Sequence, residues 1–198
     1  MTGVHTDQDT EDKTVPPRRT VRFDSPLDLF RQIPEIQQFT HARPAAGETH
    51  YACLHRLRES ETVEDALVLA AFAAEIRDAI AWAHKAMRTV LPESSQQDQH
   101  LLRWIEQWLT MPSDENRWRT MSVALFANER TPAVYLGLAV GWSGGAIAPN
   151  DPTQAPPWRA AHAVETALLT AVSRGAVEHR DAYLARVLDL ANGLFRVH

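Results

Sequence analysis

Between Thr62 and Leu91 the chain carries no glycine or proline, and its apolar positions recur in steps of three and four. Leu69, Ala73, Ile76, Ile80, Ala83, Met87 and Val90 fall on one stripe of a helix, which Val68, Phe72, Ala79 and Ala86 widen on one flank. The spacing predicts one unbroken helix over 62–91, about 42 Å long at 1.5 Å per residue. Thr62 and Asp65 resemble a capping box at its start, and Pro92 marks its end. An apolar arc of about half the circumference needs several neighbours, so this helix is expected at the centre of the fold.

The same pattern continues on either side. Ser25-Pro26 opens a short helix with Leu27, Phe30 and Ile33 on one face, and residues 48–59 form another with Tyr51, Leu54 and Leu57 inward. Ser94 or Ser95 caps a helix carrying Leu101, Leu102, Ile105, Trp108 and Leu109, and Ser113 caps one with Trp118, Met121, Leu125 and Phe126 inward. Thr131-Pro132 starts a run that is apolar on every side and therefore buried all round. A helix from Pro157 to Arg174 is expected to close with Gly175 in the left-handed conformation, and a last helix spans about 178–192. The chain thus reads as all-α: a single-domain bundle of six to eight helices over 25–198, with a superhelical stack of helix pairs as the alternative.

Residues 1–24 hold Asp, Glu, Thr, Arg and Pro with little to bury, and are expected to form a disordered tail. Composition supports the helical reading, with 29 Ala against 8 Gly among 198 residues. The formal net charge of −5 arises in the first hundred residues, and no basic stripe exists to neutralise phosphates, so nucleic acid is not expected as a partner. The apolar run after Thr131 meets Ser-Gly-Gly after about ten residues, too short for the ~20 of a membrane span, so no membrane association is expected either. Arg18-Arg19 lacks the apolar region of an export signal, and the single Cys53 forms no intramolecular disulfide, which together place the chain in the cytoplasm. No cofactor is implied.

Candidate chemistry is sparse. His50 and Cys53 are three apart on a helix, but the other histidines are scattered and no metal site is expected. Gly141-Trp142-Ser143-Gly144-Gly145 matches the Gly-x-Ser-x-Gly pattern of a nucleophile elbow, giving a serine hydrolase as the alternative function. An elbow needs a helix directly after its serine, and Ala-Ile-Ala-Pro follows instead. The plainer reading is a glycine-rich helix exit, and the Gly137-to-Gly141 spacing then serves close helix packing. Trp142 and Trp158 bracket a loop whose Pro149, Pro152, Pro156 and Pro157 oppose regular hydrogen bonding. Trp142, Ser143, Gly144, Gly145 and Trp158 are the candidate binding residues, because loops held by a rigid scaffold commonly carry recognition.

Over Tyr135-Leu-Gly-Leu-Ala-Val-Gly-Trp-Ser-Gly-Gly-Ala-Ile-Ala-Pro149 the chain resembles an uncharacterised family of α-helical bacterial proteins associated with type VI secretion gene clusters. That resemblance implies an accessory role and carries no catalytic residues. With it, the leading functional expectation is a non-enzymatic adaptor that binds a protein partner.

Overall fold

A computed structural model describes residues 20–91, 94–148 and 150–195; the expectations for the tail at 1–19 and for Pro92 and Pro149 lie outside them. The described residues form nine α-helices: α1 Pro26–Gln32, α2 His50–Arg58, α3 Glu64–Ala73, α4 Ile76–Val90, α5 Gln96–Thr110, α6 Asp114–Leu125, α7 Pro132–Gly141, α8 Arg159–Arg174 and α9 Arg180–Ala191. Side-chain oxygens start several of them. Ser25, Ser95, Ser113 and Thr131 each accept the backbone N–H three residues on, as expected from sequence, and Thr49 does the same for α2.

The expected single helix over 62–91 is two helices. Ala74 is extended, with φ −72° and ψ 152°, and α4 restarts at Ile76. Nothing in Ala73-Ala74-Glu75 breaks a helix locally. The gap is filled from a distance: Val21 bridges Ala74 in antiparallel fashion, the Arg22 N–H donates to the Ala73 carbonyl at 2.8 Å, and the Glu75 N–H donates to the Thr20 carbonyl at 2.8 Å. Thr20 also donates its hydroxyl to the Leu194 carbonyl, and Phe23 is buried. Residues 20–22 are thus tied to the junction between α3 and α4. This division also explains why nine helices appear where six to eight were expected.

One continuous cluster of buried apolar side chains runs from Phe23 to Phe195. Helix α7 packs against α4, α5, α6 and α8, while α8 also lies on α3 and α4, and α9 closes over both. A stack of repeats would touch only sequence neighbours, so these distant pairings make the fold a bundle. Ile80 is fully buried, and Ile76 is half-buried at the start of α4. Nine of the ten residues of α7 are buried, in line with its apolar pattern.

Three expectations fail at helix surfaces. Tyr51 is 47% exposed and Phe126 is 85% exposed; beside Leu54, Leu57 and Met121, which are buried as expected, the inward positions include His50 and Cys53 on α2, and Asn116, Arg117 and Thr120 on α6. Those polar groups tolerate burial because they are bonded, for example Asn116 to the Met111 carbonyl at 2.9 Å. Gly175 has φ −72° and ψ 169°, which is extended and not left-handed. Its glycine is needed for a different reason, since a Cβ there would overlap the Tyr183 ring.

Candidate functional site

Helix α7 delivers the chain to the Trp142–Trp158 loop as a fixed post. A Cβ at Gly137 would stand 3.0 Å from Ala124 Cβ, and one at Gly141 would stand 2.5 Å from Met121 Cγ. The two glycines thus let α7 lie close on α5 and α6, which is the packing role their spacing suggested.

Beyond Gly141 the chain folds back on itself instead of running as an unpaired loop. Ala146 and Gln154 form an antiparallel bridge. The Ala155 N–H donates to the Gly145 carbonyl at 3.0 Å, the Ile147 N–H to the Thr153 carbonyl at 2.7 Å, and the Asp151 N–H to the Ala148 carbonyl at 3.2 Å. The prolines were expected to prevent such bonding. Pro152, Pro156 and Pro157 instead occupy positions whose missing N–H is not one of these donors. Asn150 turns the lobe with φ 65°, a left-handed conformation that asparagine adopts more readily than most residues. The Thr153 N–H donates to the Asp151 carboxylate at 2.8 Å, and this bond holds the carboxyl below its ordinary value of 3.8.

The base of the lobe rests on Arg117. This side chain is buried, at 6% exposure, yet each of its three guanidinium nitrogens is engaged: it donates to the Gly141 carbonyl at 2.9 Å and twice to the Asp114 carboxylate, at 3.0 and 3.1 Å. The Trp118 ring lies 4.2 Å from its Cζ. Gly145 passes directly over the guanidinium with φ 70°, where a Cβ would lie 2.9 Å from Nη2. Both the conformation and the space therefore require glycine at 145. Gly144 has neither constraint.

The two tryptophans brace separate sides of the lobe. Trp142 donates its indole N–H to the Ile147 carbonyl at 3.0 Å and carries the Arg159 guanidinium 4.4 Å above its ring. Trp158 instead packs 5.8 Å from the Phe39 ring, and Phe39 stacks on His162 at 4.0 Å. His162 Nδ1 is in turn 2.8 Å from the buried Glu165 carboxylate. Both indoles are half-buried, so they fasten the lobe and leave its outer stretch to solvent: Asn150, Pro152, Thr153 and Gln154 are exposed.

Ser143 donates its hydroxyl to the Val140 carbonyl at 2.7 Å. It follows a helix and precedes the folded-back lobe, whereas a nucleophile elbow holds its serine between a strand and a helix. Cys53 is buried on α2, and loss of solvation, with the Glu48 carboxylate beside it, pushes its thiol up to about 12. His50 Nε2 lies 3.0 Å from the Phe23 carbonyl. Among the described residues no group of three or more His, Cys, Asp or Glu could hold a metal ion, and no helix is long and apolar enough to cross a membrane.

Sequence reasoning missed Arg117, Asp114 and Arg159. The Asp114–Arg117 pair is visible as an i,i+3 spacing, but nothing local announces that Arg117 reaches Gly141 and Gly145 on another element. The sequence model of a family of unknown function, DUF6931, matches residues 53–195. The chain belongs to that family. No curated protein and no solved structure matches it.

Proposed function

We propose that this member of the DUF6931 family is a protein-binding module that presents the Trp142–Trp158 lobe to its partner. The observation that carries the reading is the lobe's construction: irregular chain whose amides are bonded within itself, clamped at its base by a buried guanidinium, with polar groups of Asn150, Thr153 and Gln154 at an exposed tip. Such a segment has already lost most of the freedom that binding would remove, so contacts made at the tip translate into affinity. Ser143 serves as a helix-end residue in this reading, not as a nucleophile. The resemblance of residues 135–149 to proteins of type VI secretion gene clusters supports an accessory role in such a bacterial system, with the module acting in the cytoplasm.

The test replaces residues 150–156 of the full chain with a Gly-Ser linker of equal length and compares partner recovery from the native host. Recovery is expected to fall while melting stays unchanged. Should the linker itself lower the melting temperature, Thr153→Ala with Gln154→Ala alters only exposed side chains and decides the matter. Partner recovery that survives both changes refutes the proposal.

A further inference from the structure

Between α4 and α5 lies a cleft of about 480 Å³, within the ~300–1,000 Å³ typical of small-molecule sites. Helix geometry puts His84 and Arg88 on one face of α4, four residues apart, while Arg103 and Glu106 line the cleft from α5. Leu91 and Leu102 give it an apolar floor. A second cavity of about 230 Å³ shares both leucines and extends that floor toward Met87 and Pro132.

Arg31, Arg56, Arg58, Arg117, Arg119 and Arg180 each hold a carboxylate within 3.1 Å. Among the described residues Arg88 and Arg103 hold none, although Glu106 lines the same cleft. His84 is buried at 8% exposure and lines the cleft from α4. Burial holds His84 below its ordinary value, with Glu106 opposing that effect and Arg88 adding to it.

We propose that this cleft binds a small organic anion, a carboxylate or phosphate monoester, whose charged group lies between Arg88 and Arg103 and whose apolar body rests on Leu91 and Leu102. Two guanidiniums lining one cleft are the donors such a group requires, and a carboxylate or phosphate oxygen takes up several of their N–H groups at once. The leucine floor supplies burial for the remainder of the ligand. Glu106 at the same wall accepts a hydroxyl or ammonium of the ligand. This site is independent of the lobe at 142–158, so either assignment stands without the other.

The full chain is titrated with phenyl phosphate, benzoate and, as a neutral analogue of similar size, benzyl alcohol, by calorimetry and by amide chemical shifts. Saturable binding of at least one anion with a Kd of about 1 mM or tighter is expected, with shifts centred on His84, Leu102 and Arg103. Preference for phenyl phosphate assigns a phosphate ester, and preference for benzoate a carboxylate. Arg88→Gln and Arg103→Gln, both at exposed positions, should each weaken binding about tenfold while benzyl alcohol is unaffected. Absence of saturable binding by both anions overturns the proposal, as do equal binding of benzyl alcohol, full affinity in both variants, or shifts that map elsewhere. The shift map uses the unaltered chain and so decides the question even if a variant melts lower.

Discussion

Gly144 and Gly145 are neighbours in the same motif, yet replacing each with alanine should have very different consequences. At Gly145 the backbone is left-handed, with φ 70°, which raises the energy of an L-residue by about 1–2 kcal/mol. Restricting the unfolded chain returns roughly 0.4–1 kcal/mol of that. The new Cβ would also stand 2.9 Å from Arg117 Nη2, so the guanidinium must shift and weaken its bonds to Gly141 or Asp114. A hydrogen bond to a charged group contributes about 1.5–3 kcal/mol, and partial loss of one brings the net destabilisation of Gly145→Ala to about 1–3 kcal/mol. For a chain of this size that lowers Tm by roughly 2–12 °C. At Gly144 no atom lies within 4 Å of a Cβ and φ is not positive, so Gly144→Ala should change stability by no more than about 0.5 kcal/mol. Chemical denaturation of both variants measures the difference, and the double variant with Arg117→Ala isolates the contact: there the Gly145→Ala penalty should shrink to its backbone part. Equal stability of the two single variants, or an undiminished penalty without Arg117, would refute the account of the lobe's base.

Gly141→Ala should destabilise by about 1–3 kcal/mol, because Met121 has little room to retreat from a Cβ at 2.5 Å, and Gly137→Ala should do less; thermal melting of the pair ranks them. A chain truncated to begin at Thr20 should melt higher than one beginning at Asp24, which loses the Arg22–Ala73 and Glu75–Thr20 backbone bonds along with the buried Phe23. Hydrogen bonding to Arg56 holds the Glu48 carboxyl down at about 2, against an ordinary 4.5. Its folded value is the lower one, so its contribution is complete above about pH 4.5 and is lost as pH falls toward 2; Glu48→Gln should flatten stability across that window in acid titrations. Cys53 should resist a thiol reagent in the native protein at mildly alkaline pH and react fully in denaturant, whereas rapid native labelling would contradict its burial and raised pKa.

Helix positions were written locally. Ser25, Ser95, Ser113 and Thr131 cap their helices through bonds spanning three residues, and the apolar character of 132–141 dictated burial on all sides, since both effects depend only on near neighbours and on total hydrophobicity. The break at Ala74 was not legible, because helix propensities among Ala, Glu and Ile differ by only tenths of a kcal/mol per residue, and two backbone bonds from Thr20 and Arg22 outweigh them. At the lobe, sequence identified Trp142, the glycine pair and Trp158 as a unit of interest but saw prolines only as obstacles to bonding. That the segment instead folds onto itself, that Gly145 rather than Gly144 needs its hydrogen, and that Arg117 carries its base all depend on α6 lying beside the end of α7. Such a contact joins residues more than twenty apart, and its geometry is fixed by packing of the bundle, which no local pattern records.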